Sequence, residues 1–262
     1  FDSDELLDYR ARRPIARFEQ DHLTAYDIPV VRLLLAHDDV GRPFLLLTGF
    51  EPDYRWQAFV EALHHLVRRF AVSTVTWVHA IPMPVPHTRP IQVTVSGNRG
   101  ELVEQLSAWR PTTEVPANVL HLFEHRLYGE GDPVAGFVLL VPHYLAETEL
   151  PAAAVTSLES VSAATGLIFP TDALREAARE FHLKIDEQVA GNSELARLVS
   201  TLEQRHDTYM AGNPLPSPLM DEAGDVPRRV VAVHHQHVRR GDGQDQGREI
   251  LHRVVAEVGP QR

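Results

Sequence analysis

Short apolar segments of strand length alternate with longer amphipathic segments between about residue 30 and residue 144, and this alternation constrains the fold more than any other feature. The short segments are rich in β-branched and aromatic residues, whereas the longer ones repeat their apolar residues every three or four positions. Such alternation is typical of an α/β protein whose sheet carries helices on both faces. We predict strands at Val30–Ala36, Phe44–Leu47, Ala71–Ala80, Ile91–Val95 and Val134–Val141, and helices at Asp53–Phe70, Asn98–Trp109 and Val119–Leu127.

The strand-like pattern stops after Tyr144, and the chain continues as helical segments. Helices are predicted at Ala152–Thr165, Thr171–Val189 and Ser193–Met210. A proline-rich segment follows and interrupts regular structure, and the polar tail beyond it contains an amphipathic stretch at Arg248–Val258. We therefore predict an α/β sandwich domain with an N-terminal arm at residues 1–150, a helical annex at residues 151–210, and a proline-rich linker and polar tail with a short amphipathic helix at residues 211–262.

Composition excludes several kinds of chemistry. The chain contains no cysteine, which rules out disulfides, thiol nucleophiles and cysteine-bound zinc. Lys184 is the single lysine, and it lies in a helical segment without the glycine-rich loop that precedes the lysine of a P-loop. Nucleotide binding by a P-loop and Schiff-base chemistry are therefore not expected.

Charge and hydropathy limit the partners. The formal net charge of −11 argues against nucleic acid, because phosphate binding needs a basic surface. No apolar run approaches the roughly 18 residues that cross a bilayer, and acidic residues open the chain where a signal stretch would be basic and then apolar. We therefore expect a cytoplasmic protein that contacts neither membrane nor nucleic acid.

Three polar loops follow predicted strands and contain the residues best suited to chemistry. In open α/β sheets, ligands bind outside the carboxyl ends of the strands. If these strands end at one edge of the sheet, carboxylates, imidazoles and a guanidinium would converge there. The predicted ligand-binding residues are Glu51, Asp53, His87, Thr88, Arg89, His143 and Tyr144, and the candidate catalytic residues are Asp53, His87 and His143.

These side chains are compatible with two roles. Histidine titrates near neutral pH, and arginine binds phosphate or carboxylate with paired hydrogen bonds, so the loops could bind a small anionic substrate. The same charge-assisted hydrogen bonds could instead hold loops together or form a protein interface. The prolines at 82, 84, 86 and 90 restrict the loop around His87 and suit either role.

A metal site is a weaker interpretation of the histidines. His121, Glu124 and His125 would share one helix face at a spacing that metal ligands use. The neighbouring Phe123 and Leu127, however, are typical of an ordinary amphipathic helix. We predict neither a metal site nor a cofactor.

Four segments together resemble a known family. They read FDSDELLDYRARRP from Phe1, FLLLTGFEPDYRW from Phe44, IPMPVPHTRP from Ile81 and VPHYLAETELPAAA from Val141, and the last two share a Val-Pro-His motif. Through these segments the chain resembles an actinobacterial member of the proteasome assembly chaperone 2 (PAC2) family, over roughly Phe1 to Met210.

The resemblance implies a phosphorylase/hydrolase-like three-layer α/β/α sandwich and a homo-oligomer, with a trimer as one form of it. Eukaryotic members of the family help to assemble proteasome α-rings, whereas many bacterial members have no established activity. Assembly chaperones of this kind can carry a C-terminal signal (a hydrophobic residue, tyrosine, then any residue) that docks on the ring. This sequence ends Gly259-Pro260-Gln261-Arg262, so docking through that signal is not expected.

Two functional hypotheses follow. The first is a non-enzymatic protein-interaction or assembly-chaperone-like protein that binds itself and a protein partner. The second is a hydrolase- or phosphorylase-like enzyme that acts on a small anionic substrate at the carboxyl ends of the strands, and it requires an enclosed pocket in which the loop side chains meet. Its residues would be Asp53 or Glu51 as carboxylate, His87 or His143 as acid–base group, and Arg89 as anion clamp.

Overall fold

The computed structural model describes residues 1–110 and 112–212 and, for the backbone, Val254–Val258. A six-stranded sheet forms its centre, and a two-stranded sheet is separate from it. The strands are β1 (Ile15–Glu19), β2 (His22–Asp27), β3 (Arg32–His37), β4 (Pro43–Thr48), β5 (Val72–Met83), β6 (Gln92–Gly97), β7 (Val134–Pro142) and β8 (Val254–Val258). The helices are α1 (Ser3–Leu6), α2 (Trp56–Arg69), α3 (Gly100–Leu106), α4 (Val119–Glu130), α5 (Pro151–Thr165), α6 (Asp172–Ala190) and α7 (Ser193–Met210), with a 3₁₀ turn at His143–Leu145.

Three parallel strands form the part of the large sheet that positions the site. The strand order is β3-β4-β8-β5-β7-β6. Strand β8 runs antiparallel to both of its neighbours, and β5 and β7 are parallel, so β4, β5 and β7 point the same way. Strands β3 and β6 run antiparallel at the two edges. The five strands predicted from the alternating pattern are confirmed, because each overlaps a strand of this mixed sheet.

Alternate residues of the central strands enter two hydrophobic clusters. Val75 and Trp77 of β5 belong to the first cluster, together with buried residues of α2 and α4. Val78 belongs to the second cluster, together with buried residues of α3 and α5. Because neighbouring side chains along a strand point to opposite faces, the two clusters lie on opposite faces of β5.

Helix α5 packs on the sheet as well as against α6, whereas the sequence predicted that it belongs to a separate annex at residues 151–210. Its residues Ala153, Val161 and Ala164 are buried in the second cluster beside Phe137 of β7. Small side chains along α5 let it lie close to the strands. The annex is therefore the pair α6–α7, which has one buried residue in α6 and two in α7. Among the described residues, no helix has both the length and the apolar character needed to cross a bilayer.

The prediction of a helix in the tail is wrong at its carboxyl end. Val254–Val258 forms β8, which pairs with β4 on one side and β5 on the other. Three of its five residues are valines, which favour strands. A strand in this position pairs the backbone groups of both neighbours, which a helix would leave unpaired. The rest of the predicted amphipathic stretch, residues 248–253, lies outside the described residues.

The N-terminal segment is anchored in the core, whereas the sequence predicted an arm. Asp2 caps the short helix α1 by accepting a hydrogen bond from the backbone of Asp4. Leu6 and Leu7 are buried in the first cluster beneath that helix. The Leu6 carbonyl also accepts a hydrogen bond from the backbone N–H of Asp53. Two leucines adjacent in sequence thus tie this charged segment to the sheet.

The β1–β2 hairpin was not predicted at all. Neither strand shows the strict alternation of apolar and polar residues that marks a half-buried strand, because Ile15 and Ala16 are adjacent in β1 and Ala25 and Tyr26 are adjacent in β2. A register shift between Arg17 and Phe18 breaks the pattern further. The hairpin leads directly into β3.

Candidate functional site

The carboxyl ends of β5 and β7 lie together, but that of β4 does not. Met83 pairs with Pro142, so β5 and β7 end side by side. Leu47 and Trp77 both pair with Val254 and are therefore level in the sheet. Strand β4 ends one residue after this level, whereas β5 continues to Met83. At about 3.3 Å per residue, the difference places the two ends about 17 Å apart along the strand direction.

The two carboxylates after β4 consequently have structural partners away from the histidines. Asp53 accepts a hydrogen bond from the backbone of Asp8 (2.8 Å) and forms an ion pair with Arg12 (2.7 Å), which fastens the N-terminal segment. Glu51 accepts a hydrogen bond from the backbone N–H of Val119, the first residue of α4, at 2.8 Å. A carboxylate at that position is stabilised by the positive end of the helix dipole.

His87 is buried beneath the α6–α7 pair, with 4% of its surface exposed. Its backbone N–H donates to the Tyr144 hydroxyl (2.8 Å), and its Nδ1 lies 2.7 Å from that same oxygen. Burial raises the pKa of Tyr144 to about 12, so the hydroxyl keeps its proton. On the other side of the ring, Nε2 lies 3.2 Å from a carboxylate oxygen of Asp186 of α6.

Arg89 is bound by carboxylates of α7. Its Nε and Nη2 donate to the two carboxylate oxygens of Asp207 at 2.9 and 2.7 Å, and its Nη1 lies 3.3 Å from Glu203. Thr88 also donates to Glu203. The hydrogen bond from Arg89 lowers the pKa of Asp207, and the hydrogen bond to Asp207 raises the pKa of Arg89. The predicted anion clamp is thus filled by the protein's own side chains.

His143 lies next to this cluster without joining its hydrogen bonds. Its Nδ1 is 3.3 Å from the Met83 carbonyl oxygen, and its ring meets the edge of Tyr144 at a centroid distance of 5.5 Å. The cavity that borders Arg89, Pro142 and neighbouring residues has a volume of about 10 Å³, which is room for about one water molecule.

The structure therefore divides the predicted set in two. His87, Thr88, Arg89, His143 and Tyr144 come together at the ends of β5 and β7, beneath α6–α7. Glu51 and Asp53 lie elsewhere. The partners that the sequence interpretation missed are Asp186, Glu203 and Asp207 on α6 and α7. Glu203 and Asp207 are four residues apart and so share one helix face, a signal that could have matched them to an arginine.

A second polar cluster lies on the other side of the sheet. Glu124 of α4 accepts hydrogen bonds from the Trp77 indole (2.6 Å) and the Ser96 hydroxyl (2.8 Å). Burial raises the pKa of Glu124. His121 was another candidate metal ligand. Its ring accepts a hydrogen bond from the backbone N–H of Asn118 at 3.2 Å. Within residues 1–110 and 112–212, no group of three or more histidines and carboxylates is arranged to hold a metal ion.

Glu124→Gln is expected to remove a pH-dependent loss of stability. Because the pKa of Glu124 is raised in the folded state, its protonated carboxyl stabilises the fold fully below the ordinary pKa of 4.5. This stabilisation is lost as pH rises through the pKa of the folded state. Each unit of elevation is worth about 1.4 kcal/mol at high pH. Glutamine stays neutral and its oxygen still accepts both hydrogen bonds. Urea unfolding at pH 5 and pH 8 should therefore show a gain over wild type that is larger at pH 8.

Glu104→Gln is the matched control for this experiment. Glu104 lies exposed on α3, and its substitution should change the stability equally at both pH values. A gain for Glu124→Gln that does not grow with pH would contradict a raised pKa for the buried Glu124 carboxyl.

Known proteins with the same fold indicate the family. The model of the PAC2 family matches residues 1–189. A Mycobacterium tuberculosis protein of unknown function is 42% identical, with a TM-score of 0.74 over 80% of this chain and 71% of that chain. A Corynebacterium glutamicum protein of unknown function is 36% identical, with a TM-score of 0.76 over 80% and 78%.

A proteasome-assembly chaperone homologue from Mycobacterium tuberculosis is more distant. It is 26% identical, with a TM-score of 0.67 over 75% of this chain and 84% of that chain. No curated protein matches the chain significantly. The family match covers most of the described residues, including every site residue predicted from the sequence but not Glu203 or Asp207 of α7. Together with the 42% identity, it shows that the chain belongs to the PAC2 family.

Proposed function

We propose that this chain is a non-enzymatic protein-interaction protein with an assembly-chaperone-like role. The observation that carries the proposal is the occupation of the candidate site by the chain's own helices. An enzyme for a small anionic substrate needs a free cation and an accessible acid–base group. Arg89 is instead bound by Asp207 and Glu203, and His87 is buried against Tyr144 and Asp186.

The size of the space at this site supports the same proposal. Pockets for small molecules typically have volumes of about 300–1,000 Å³, whereas the cavity beside Arg89 has about 10 Å³. The carboxylates expected to complete a catalytic set, Glu51 and Asp53, bind the N-terminus of α4 and the N-terminal segment. The site is thus suited to fastening α6–α7 onto the sheet.

Several finer features belong to this proposal. The two hydrophobic clusters on opposite faces of β5 support a three-layer α/β/α sandwich, and the phosphorylase/hydrolase-like assignment goes with it. A homo-oligomer and a cytoplasmic location also stay predictions. A similar protein is a proteasome-assembly chaperone homologue, so proteasome subunits are the first partner to test.

Two measurements test the proposal. The purified chain is mixed with the proteasome α-subunits of its source organism, and recovery of a complex of fixed stoichiometry by size-exclusion chromatography is the expected result. The competing enzymatic function is tested with nucleosides plus inorganic phosphate and with phosphate esters. Turnover that His87→Gln and Arg89→Gln both abolish would overturn the proposal, as would the absence of any stoichiometric protein partner.

A further inference from the structure

The β1–β2 hairpin exposes a large apolar surface. Every residue of the two strands is exposed except Ala25, which is half-buried. Phe18, Leu23 and Tyr26 expose 65%, 59% and 59% of their surfaces. An isolated two-stranded hairpin is only marginally stable in water, and an exposed patch of this kind usually marks an interaction site. A patch of this kind is expected to be covered by a partner surface.

A bulge arranges the apolar side chains on one face of the hairpin. Ala16 pairs with Tyr26, and Phe18 pairs with Leu23. Leu23 and Tyr26 are three residues apart and would point to opposite faces of a regular strand. The register shift leaves Thr24 without a paired residue, and this extra residue brings both side chains to the same face. The hairpin therefore has one apolar face, and its other face carries Arg17, Glu19 and Asp27 together with Ile15.

Strand β3 provides a second open surface on the same chain. Among the described residues it pairs only with β4, so its outer edge is free. Leu34 and Leu35 expose 42% and 64% of their surfaces. Leu33 lines a shallow groove of about 30 Å³, and the described residues that line it are all apolar and include Leu66 and Val72. A free edge next to an apolar groove is suited to receive an added strand with apolar side chains.

We propose that the hairpin of one copy adds to the β3 edge of a second copy, with β1 antiparallel to β3. This inference rests on the homo-oligomer in the proposed function and names its contact surface. When Glu19 is placed opposite Arg32, Phe18 lies opposite Leu33 and Ala16 opposite Leu35. Residues opposite each other on paired strands point to the same face of the sheet. The apolar face of the hairpin would therefore extend the face of β3 on which Leu33 borders the groove.

Charge supports a second copy as the occupant. Glu19 and Arg32 are exposed, and neither side chain has a hydrogen bond or ion pair in the part of the chain that the structure describes. The proposed register pairs these opposite charges and places no like charges face to face. Pairing β1 with β1 of another copy about its centre would set Arg17 against Arg17, which is unfavourable.

The area of contact also favours the combined surface. An aromatic side chain covers roughly 150–250 Å² when it is fully buried. Phe18 and Tyr26 expose 65% and 59% of their surfaces, so these two side chains supply roughly 200–300 Å² of the hairpin face. A standard interface needs about 800 Å² on each partner. The remaining contact area comes from the exposed leucines of β3 and from the newly paired strand edge. Two hairpins packed face to face would lack this additional area.

Light scattering tests this contact with a charge exchange. Wild type is expected to have a mass that is a multiple of 29.4 kDa. Glu19→Arg and Arg32→Glu should each weaken association about tenfold, because attraction becomes repulsion. The double variant Glu19→Arg/Arg32→Glu should regain the wild-type mass. Glu104→Arg, an exposed change of the same kind on α3, should leave the mass unchanged.

The outcomes separate this inference from the broader proposal. A monomeric wild type overturns both the homo-oligomer and the contact proposed for it. An oligomer that neither single variant weakens overturns the contact alone and leaves self-association in place. Single variants that weaken association without recovery in the double variant also contradict the Glu19–Arg32 pairing.

A disulfide trap provides a second, independent test, because the chain contains no cysteine of its own. Ala16 and Leu35 are both exposed, and cross-strand Cβ atoms lie about 4.5–5.5 Å apart, close to the separation that a disulfide needs. Co-expressed Ala16→Cys and Leu35→Cys chains should form a covalent two-chain product under mild oxidation. A product from either variant alone would show a symmetric contact and overturn the proposed pairing.

Discussion

Replacing Val255 by proline is expected to lower the free energy of unfolding by about 1–3 kcal/mol or more, because a buried carbonyl of the ladder loses its donor. Val255 lies in β8, where it pairs with Leu46 of β4 and Thr76 of β5. Proline has no N–H for the ladder and is excluded from central strands, so the substitution would separate the two halves of the sheet. Urea unfolding followed by circular dichroism measures the loss.

Val115→Pro is the matched control for this experiment. Val115 is 62% exposed, lies outside the helices and strands, and precedes Pro116, so its backbone already favours an extended conformation. Its unfolding midpoint should stay near that of wild type. Similar midpoints for the two proline variants would mean that β8 does not join β4 to β5.

Gly97→Ala is expected to cost about 2–4 kcal/mol of stability. Gly97 ends β6 with a φ of +105°, and an added Cβ would lie 2.1 Å from the Val134 carbonyl oxygen. The neighbouring backbone cannot move away easily, because Asn98 binds the Val134 N–H at 2.9 Å and the Asp132 carbonyl at 2.8 Å. Thermal unfolding followed by circular dichroism should show a clearly lower Tm.

Gly100→Ala is the control three residues away. Gly100 is the first residue of α3, and an added Cβ would meet no atom within 4 Å. Alanine also favours helix over glycine by about 1 kcal/mol, so this variant should be at least as stable as wild type. Equal Tm values for the two alanine variants would contradict the close approach of β6 to β7.

At the candidate site, Arg89 has an internal carboxylate partner that the sequence interpretation did not identify. Arg89 was expected to clamp an anion with two hydrogen bonds, and it does bind a carboxylate in that way. The carboxylate belongs to Asp207, which lies 118 residues further along the chain. The spacing of residues along the chain does not indicate which of the C-terminal helices packs against which loop.

The separation of Asp53 from His87 has a different cause. Both follow parallel strands, so the rule that ligands gather at the carboxyl ends of strands applies to both. The rule does not give the length of each strand. Strand β5 continues well past the level at which β4 ends, and this difference alone places the two loops in different surroundings.

The sequence by itself determined the α/β class, the five strands before residue 144 and the membership of the PAC2 family, because periodicity and short motifs are local properties of the chain. Tertiary structure alone decided that β8 joins β4 to β5, that α5 packs on the sheet, and that α6–α7 occupies the site at His87 and Arg89. These features depend on contacts between residues far apart in the chain. They are stabilised by the backbone pairing of β8, the apolar burial of α5 and the ion pair of Arg89. Each of these contacts can form only when the surrounding parts of the chain have folded.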